Sequence, residues 1–287
     1  MDKDAIWTTI LQLQYGADKE DIVCNKNDNQ IIHDGNLTLE LAMLSTIGNR
    51  PEQQDSLGYI LKKEQGIVVI CDGMGGHEGG QLASTMAKNI FLDVFQQESA
   101  YINPVNNMME CAIRADEEVG RLADGEGKLL HAGSTLVAIC IKDEELYWCS
   151  VGDSRAYLYR DGEFVQFTQD QNYRTVLDEQ LTAGLITREE YQNEKERGEA
   201  LISYIGIGNL SLIDYSLSAI KLKKDDKIVV MSDGLYKLVK NEEIARIVEN
   251  FSNINEAIQA LEVKAKRNAQ KNSISRDNMT IGLIRIK

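Results

Sequence analysis

A series of short strands in the middle of the chain is the feature that most limits the fold. Polar turns such as Asp161–Gly162 separate its apolar and β-branched runs. These runs are Ser134–Ile141, Glu145–Val151, Arg155–Tyr159 and Phe164–Phe167. Strands joined by such short turns pair in antiparallel fashion. The spacing therefore predicts an antiparallel sheet built from the middle of the chain.

Strands and helices are grouped along the rest of the chain instead of alternating. Further strands are predicted at Thr38–Ile47, Gly66–Cys71, Ser211–Lys221, Lys227–Met231 and Met279–Ile286. Helices are predicted at Gly80–Glu98, Pro104–Leu122, Arg174–Ala183, Arg188–Arg197, Glu242–Asn250 and Ile254–Gln270. Such grouping favours antiparallel sheets with helices packed outside them.

Composition excludes several classes of protein. With 287 residues, 43% of them hydrophobic, the chain can bury a full core. The formal net charge of −14 disfavours nucleic acid as a partner, because phosphate backbones select basic surfaces. We find no long apolar run, no secretory leader and no CxxC pair among the five cysteines. These features predict a cytoplasmic protein without a membrane span, a zinc framework or disulfides.

Four aspartates stand at or beside the ends of predicted apolar strands: Asp72, Asp153, Asp233 and Asp277. A carboxylate at the end of a buried strand loses solvation, and several at one sheet edge would repel one another. Divalent cations resolve both problems, and an all-oxygen ligand set selects Mg²⁺, Mn²⁺ or Ca²⁺ over zinc. Gly73 would let its backbone carbonyl approach such an ion closely. Spacing alone leaves open whether these strand ends converge.

The remaining Asp-Gly pairs are interpreted differently. Asp34, Asp124 and Asp161 lie in polar surroundings, where Asp-Gly is a common turn dipeptide. We therefore predict ordinary turns at these three positions.

Six motifs follow one another in the chain: GNRPEQQDS (Gly48–Ser56), VICDGMGGH (Val69–His77), GSTLV (Gly133–Val137), VGDSRAY (Val151–Tyr157), SDGL (Ser232–Leu235) and DNMT (Asp277–Thr280). In this order and spacing they closely resemble the metal-dependent serine/threonine protein phosphatases of the PPM family (type 2C), particularly its bacterial members. The resemblance covers residues 37–287, with a flap-like insert at about 169–200 that matches loosely. Residues 1–36 remain an N-terminal extension of unknown role.

The resemblance implies an α+β fold, a four-layer α/β/β/α sandwich of two antiparallel sheets flanked by antiparallel helix pairs. It also implies hydrolysis of phosphoserine and phosphothreonine in proteins by a metal-activated water, without a covalent intermediate. The implied cofactors are two Mn²⁺ or Mg²⁺ ions, with a third ion in bacterial members.

Within this resemblance, Asp72 would bridge two ions, with the Gly73 carbonyl on one of them. Asp233 and Asp277 would complete the ligands of the other ion. Asp72 and Asp233 would therefore be the central catalytic carboxylates.

Three further residues receive roles from the same resemblance. Asp153, together with Asp233, would hold the third ion, and Asp55 would act near the first ion through water. Arg50 would bind the substrate phosphate, a task suited to a planar guanidinium. Met74 stands where eukaryotic members often carry a histidine proposed as the general acid, so the proton donor is unassigned. His77 is predicted to cap a helix, with general acid as the alternative.

Phosphoserine and phosphothreonine proteins are the expected partners of a monomeric enzyme, and a cognate serine/threonine kinase is a further candidate. Neither nucleic acid nor a membrane is expected as a partner. Two alternatives stay open: a catalytically inactive scaffold that binds phosphoproteins, and a phosphatase of a small phosphorylated metabolite.

Overall fold

The computed structural model describes residues 12–13, 22–24, 29–34, 37–62, 65–76 and 79–287. Within these residues, strands numbered in chain order form two sheets. In spatial order, the first sheet contains β1 (Gln12–Leu13), β3 (Asn29–Asp34), β4 (Leu37–Thr46), β15 (Met279–Ile286), β14 (Lys227–Met231), β10 (Arg155–Arg160) and β11 (Glu163–Gln166).

The second sheet contains β12 (Asp214–Tyr215), β9 (Glu145–Val151), β8 (Leu136–Lys142), β6 (Gln65–Met74), β5 (Asp55–Leu61) and β2 (Ile22–Cys24), in that order. Two further short strands join it, β13 (Ile220–Lys221) beside β9 and β7 (Gly133–Ser134) beside β6. The strand pairs are antiparallel, as predicted, apart from the parallel pair of β1 and β3.

The two sheets face each other across an apolar layer. Alternate strand residues point into this layer, including Tyr59 and Val68 from the second sheet and Val230 and Ile284 from the first. This period-two alternation buries one face of each strand between the sheets and leaves the other face for helices.

Helices cover the outer faces. Helices α1 (Gly79–Phe95) and α2 (Pro104–Val119) pack on the second sheet. Helices α6 (Asn241–Asn250) and α7 (Ile254–Asn272) pack on the first. The predicted four-layer α/β/β/α sandwich is therefore confirmed.

The insert predicted at 169–200 contains two short helices, α3 (Tyr173–Thr182) and α4 (Arg188–Glu194). Helix α4 begins with a capping box, in which Thr187 and Glu190 bond each other's backbone N–H groups. Helix α5 (Asp233–Tyr236) is a single turn directly after β14. Two 3₁₀ turns complete the helical segments of the described residues, at Glu98–Tyr101 and Lys195–Arg197.

Strand β5 was not predicted from the sequence. Gly58 interrupts its apolar pattern, but the structure explains the glycine. A Cβ atom there would lie 2.7 Å from Leu92 Cδ1 on α1, so glycine lets the helix approach the sheet closely.

The strand predicted at Ser211–Lys221 is wrong in extent, since only β12 and β13 form within it. Ser216 explains the interruption, because its hydroxyl oxygen replaces a backbone carbonyl as acceptor for the Trp148 N–H at 3.2 Å. Leu217 then turns outward and is 90% exposed.

Parts of residues 1–36 pair with both sheets. Strand β3 pairs with β4, and β2 pairs with β5. The domain boundary at residue 36 stays a prediction. Among the described residues, none of the helices combines the length and apolar character that a membrane span requires.

Candidate metal centre and active site

Sheet register brings the first two predicted aspartates face to face. In the antiparallel pair of β5 and β6, Asp55 lies directly opposite Asp72. Asp55 is only 5% exposed, and its Oδ2 accepts a hydrogen bond from the Ser232 hydroxyl at 2.8 Å. Its Oδ1 atom is buried and has no hydrogen-bond partner among the described residues. The strand pairing therefore creates a buried carboxylate with an unused oxygen beside Asp72.

The backbone of Asp72 is held by the Gly-Ser-Thr motif. The Asp72 N–H donates to the Thr135 hydroxyl at 3.0 Å, and the Asp72 carbonyl accepts from the Thr135 N–H at 2.8 Å. Ser154, from the motif around Asp153, bonds the same Thr135 hydroxyl at 2.7 Å. These contacts fix Asp72 relative to Asp153 and leave the Asp72 carboxylate facing the cavity described below.

Asp233 begins helix α5 where β14 ends. The preceding residue, Ser232, links three strands: its N–H donates to the Thr280 carbonyl at 3.0 Å, its hydroxyl accepts from the Thr280 N–H at 2.9 Å, and it donates to Asp55. Gly234 is required here, because a Cβ atom would lie 2.0 Å from the Asn278 carbonyl oxygen. The close approach of backbones sets Asp233 beside Asp277.

Asn278 is a positioning residue that sequence reasoning missed. Its side-chain amide donates to the carbonyls of Ile47 and Glu52 at 2.9 and 3.0 Å, and its side-chain oxygen accepts from the Gln54 N–H at 2.8 Å. It thereby anchors the loop that carries Arg50. Its position next to Asp277 in the DNMT motif is the sequence feature that could have identified it.

The motifs meet around one cavity of about 570 Å³. Six of the seven predicted site residues line it: Arg50, Asp72, Gly73, Asp153, Asp233 and Asp277. Asp55 does not line the cavity and lies buried behind it, opposite Asp72. Other lining residues include Met74, Thr135, Glu199, Lys237 and Asn278.

Burial and mutual repulsion raise the pKa values of the carboxyl groups. Burial, with the charges of Asp233 and Asp277, raises the pKa of Asp55 to about 7. Burial, with the charge of Asp233, raises the pKa of Asp153 to about 6. For Asp72, burial and the surrounding aspartates raise the pKa well above its ordinary value. The site therefore concentrates negative charge that favours proton or cation binding.

Two cationic side chains already approach this charge. Arg50 donates to Asp277 Oδ2 at 2.6 Å, and Lys237 donates to Asp233 Oδ2 at 2.6 Å. Burial acts to lower the pKa of Lys237, but the charges of Asp233, Glu199 and Asp153 outweigh it and raise the pKa overall. Sequence reasoning missed Lys237, although its spacing of four residues from Asp233 is typical of a helical ion pair.

The residues fit divalent cations of the oxygen-preferring class. The donors are carboxylates, and no described residue bonds the buried Oδ1 of Asp55. Burial first, and then the neighbouring aspartates, raise the pKa values of Asp55 and Asp153, and a bound cation would offset both costs. Within the described ranges, no three His, Cys, Asp or Glu side chains stand in a ready-made ligand geometry. Ion binding would therefore have to draw the carboxylates together.

Two of the predicted turns are confirmed, and they lie outside the cavity lining. Asp161 and Gly162 both have positive φ between β10 and β11, and Asp124 Oδ1 accepts from the N–H groups of Glu126 and Lys128. The side chain of Asp34 and the whole of His77, with its predicted cap, lie outside the described residues. Cys71, Cys111, Cys140 and Cys149 are buried free thiols.

Comparisons with known proteins agree with this geometry. A family model described as protein phosphatase 2C matches residues 45–269. The serine/threonine phosphatase stp of Listeria innocua is 27% identical over 239 residues, covering 82% of this chain and 90% of that protein. The S. agalactiae serine/threonine phosphatase structure matches with a TM-score of 0.72 and 25% identity, over 87% of this chain and 100% of that chain. The structure of the catalytic domain of the phosphatase PstP, in complex with two manganese ions, matches with a TM-score of 0.66 and 24% identity. The match covers 87% of this chain and 99% of that chain.

The family match spans well over half of the chain, which therefore belongs to the protein phosphatase 2C family. It is a protein serine/threonine phosphatase of the bacterial PPM type, as the motif order predicted.

Proposed function

We propose that the enzyme hydrolyses phosphoserine and phosphothreonine in proteins with a metal-activated water, without a covalent intermediate. The observation that carries the proposal is the convergence of Asp72, Asp153, Asp233 and Asp277 with Arg50 on one cavity. Isolated turns would not bring four carboxylates and a guanidinium together at the ends of strands from two sheets.

The proposed ligands follow from the cavity lining. Asp72 and the Gly73 carbonyl would hold one ion, and Asp72, Asp233 and Asp277 a second. Asp55, behind Asp72, would act through water. Asp153, beside Asp233, would be a ligand only of a third ion, whose place is considered in the next subsection. Mn²⁺ or Mg²⁺ ions, when bound, would supply an acidified water and positive charge for the phosphoryl oxygens.

Arg50 is the proposed phosphate-binding group. Its side chain is 57% exposed at the cavity, so an incoming phosphate can reach the guanidinium. Its present acceptor, Asp277, is itself a proposed metal ligand. Binding of cations by Asp277 would free the guanidinium for the phosphate.

The lining also supports water as the nucleophile. The described residues that line the cavity include no serine, cysteine or histidine. The one hydroxyl, on Thr135, is occupied by the Asp72 backbone and Ser154. An aspartate is the remaining kind of carrier for a covalent phosphoenzyme, but the Gly-Met-Gly that follows Asp72 does not fit the DxD pattern of an aspartyl nucleophile.

The test compares Asp233→Asn with Asp161→Asn on a phosphothreonine peptide at saturating Mn²⁺. Both aspartates precede a glycine, but only Asp233 lines the cavity. We expect Asp233→Asn to lower kcat at least a hundredfold and Asp161→Asn to leave it within about twofold. Wild-type turnover that persists after complete metal removal, or full activity in Asp233→Asn, contradicts the proposal.

The substrate class is tested with a panel of small phosphorylated metabolites assayed beside phosphoserine and phosphothreonine proteins. Phosphopeptide binding without turnover would instead indicate a scaffold. A cognate serine/threonine kinase as partner, a monomeric state and a cytoplasmic location remain predictions.

A further inference from the structure

Two consecutive side chains at the end of helix α5 contact the two aspartates proposed for a third ion. The Tyr236 hydroxyl donates to Asp153 Oδ2 at 3.0 Å. The Lys237 ammonium donates to Asp233 Oδ2 at 2.6 Å. The chain therefore supplies its own donors to one oxygen of each carboxylate.

Lys237 also reaches a third carboxylate. Its Nζ lies 3.2 Å from Glu199 Oε2, and Glu199 in turn accepts from Arg174 on α3. Both Lys237 and Glu199 line the cavity. The ammonium group thus stands between Asp233 and the base of the insert, where a cation is needed to offset converging negative charge.

The side chain of Tyr236, next to Lys237 in the chain, packs against Arg155. The Arg155 guanidinium lies 3.7 Å from the centre of the Tyr236 ring. Arg155 is fixed by a two-pronged pair with Asp170, at 3.0 Å from Nε and 2.7 Å from Nη2. Because this pair is mostly buried, with side chains 21% and 14% exposed, Tyr236 keeps its hydroxyl directed at Asp153.

We propose that the Lys237 ammonium takes the place of a third divalent ion, so that this phosphatase works with two. The inference rests on the proposed function, because it presumes that Asp72, Asp233 and Asp277 bind ions. Lys237 is a positioning residue. Glu199, which is not a proposed metal ligand, holds the ammonium beside Asp233 even when an ion occupies Asp233 Oδ2, and the ammonium there repels a further cation. The same contact ties the base of the insert to the metal centre.

The experiment measures Mn²⁺ bound per chain by equilibrium dialysis of the full-length protein over a range of free Mn²⁺. Lys237→Met removes the charge while keeping an apolar stem, and Lys237→Arg keeps the charge. Lys240→Met is the matched control, since Lys240 is an exposed lysine three residues further on that does not line the cavity.

We expect two bound ions in the wild type, in Lys237→Arg and in Lys240→Met, and three in Lys237→Met at the same free Mn²⁺. The third ion should bind at least tenfold more tightly to Lys237→Met than to the wild type. Three ions in the wild type, or two in a folded Lys237→Met, overturn the inference. If Lys237→Met does not fold, Lys237→Gln takes its place. Three ions bound to the wild type would overturn the inference without any variant.

The two proposals fail in different ways. If the proposed function is wrong, the wild type neither binds ions nor hydrolyses the phosphothreonine peptide. If only the role of Lys237 is wrong, turnover and ion binding persist and the number of ions does not respond to Lys237.

Discussion

At the scale of single residues, the main feature of the site is a set of carboxyl groups in places where burial makes their ionised form unfavourable. Asp55 is the clearest case, because it is buried, faces Asp72 across a strand pair and has one oxygen without a hydrogen-bond partner in the described part of the chain. Neutral or cation-bound forms of this carboxyl are therefore favoured in the folded protein.

Asp55 predicts a pH dependence of stability in the metal-free protein. Its pKa rises from an ordinary 3.8 to about 7 on folding. Between these values the folded state binds more protons than the unfolded state, so this group makes stability fall as pH rises from about 4 to 7. The side chain in Asp55→Asn cannot titrate. The free energy of unfolding of this variant, relative to that of the wild type, should therefore increase by roughly 2 to 4 kcal/mol when the pH is raised from 4.5 to 8.

Urea unfolding with EDTA at the two pH values checks this prediction. Asp161→Asn, at an exposed turn, provides the baseline for loss of a surface carboxylate. Parallel pH dependences for the wild type and Asp55→Asn would show that folding does not raise the pKa of Asp55.

Arg50 predicts a second effect at this scale. If it binds the substrate phosphate, Arg50→Ala should raise KM at least tenfold, while Arg50→Lys restores charge but not the planar, forked geometry. Steady-state kinetics on a phosphothreonine peptide would measure both. An unchanged KM in Arg50→Ala would show that other groups bind the substrate phosphate.

At the scale of elements, strand ends and short loops convert sequence motifs into a site. The loop between β4 and β5 carries Arg50 and is held by Asn278. Gly48 makes this possible, since it has φ +66° and a Cβ there would lie 2.2 Å from the Asp277 carbonyl oxygen. Glycine is thus needed for both conformation and close approach.

Gly48→Ala should therefore damage both stability and the site. We expect a loss of about 3 kcal/mol in unfolding free energy, because left-handed backbone and a backbone clash combine. We also expect a raised KM, because the loop carrying Arg50 must shift away from Asp277. Gly125→Ala, with open space around its Cβ position, is the control and should change neither quantity. Equal stability of the two variants would contradict the prediction.

At the scale of the whole molecule, the sandwich brings ends of strands from both sheets to one cavity. The described residues that line the cavity all fall between Arg50 and Asn278. The described parts of residues 1–36 are not among this lining, but β2 and β3 pair with β5 and β4 at the sides of the two sheets.

A truncated chain that begins at residue 37 should therefore keep metal-dependent turnover and lose stability. Removing β2 and β3 leaves β4 and β5 with unpaired edges, so we expect a Tm about 5 °C lower or more, and easier aggregation. Thermal unfolding and peptide turnover of the purified truncation measure the two effects. A folded, soluble truncation without metal-dependent turnover would show that the extension serves catalysis.

The amino-acid sequence by itself determined the grouping of strands and helices and the aspartates that end buried strands. Local pattern suffices for both, because strand periodicity and the position of Asp72 or Asp233 after an apolar run are properties of neighbouring residues. Motif order then indicated the family and six of the residues that line the cavity.

Tertiary structure alone decided which groups meet. The pairing of Asp55 with Asp72 depends on strand register, which a glycine-interrupted strand does not reveal in sequence. The bonds of Asn278 to the loop around Arg50 join segments more than 200 residues apart. The contacts of Tyr236 and Lys237 likewise need Asp153 and Glu199 to be brought beside α5. Long-range packing sets such distances, and it therefore turns a row of aspartates into a site with its own cation among them.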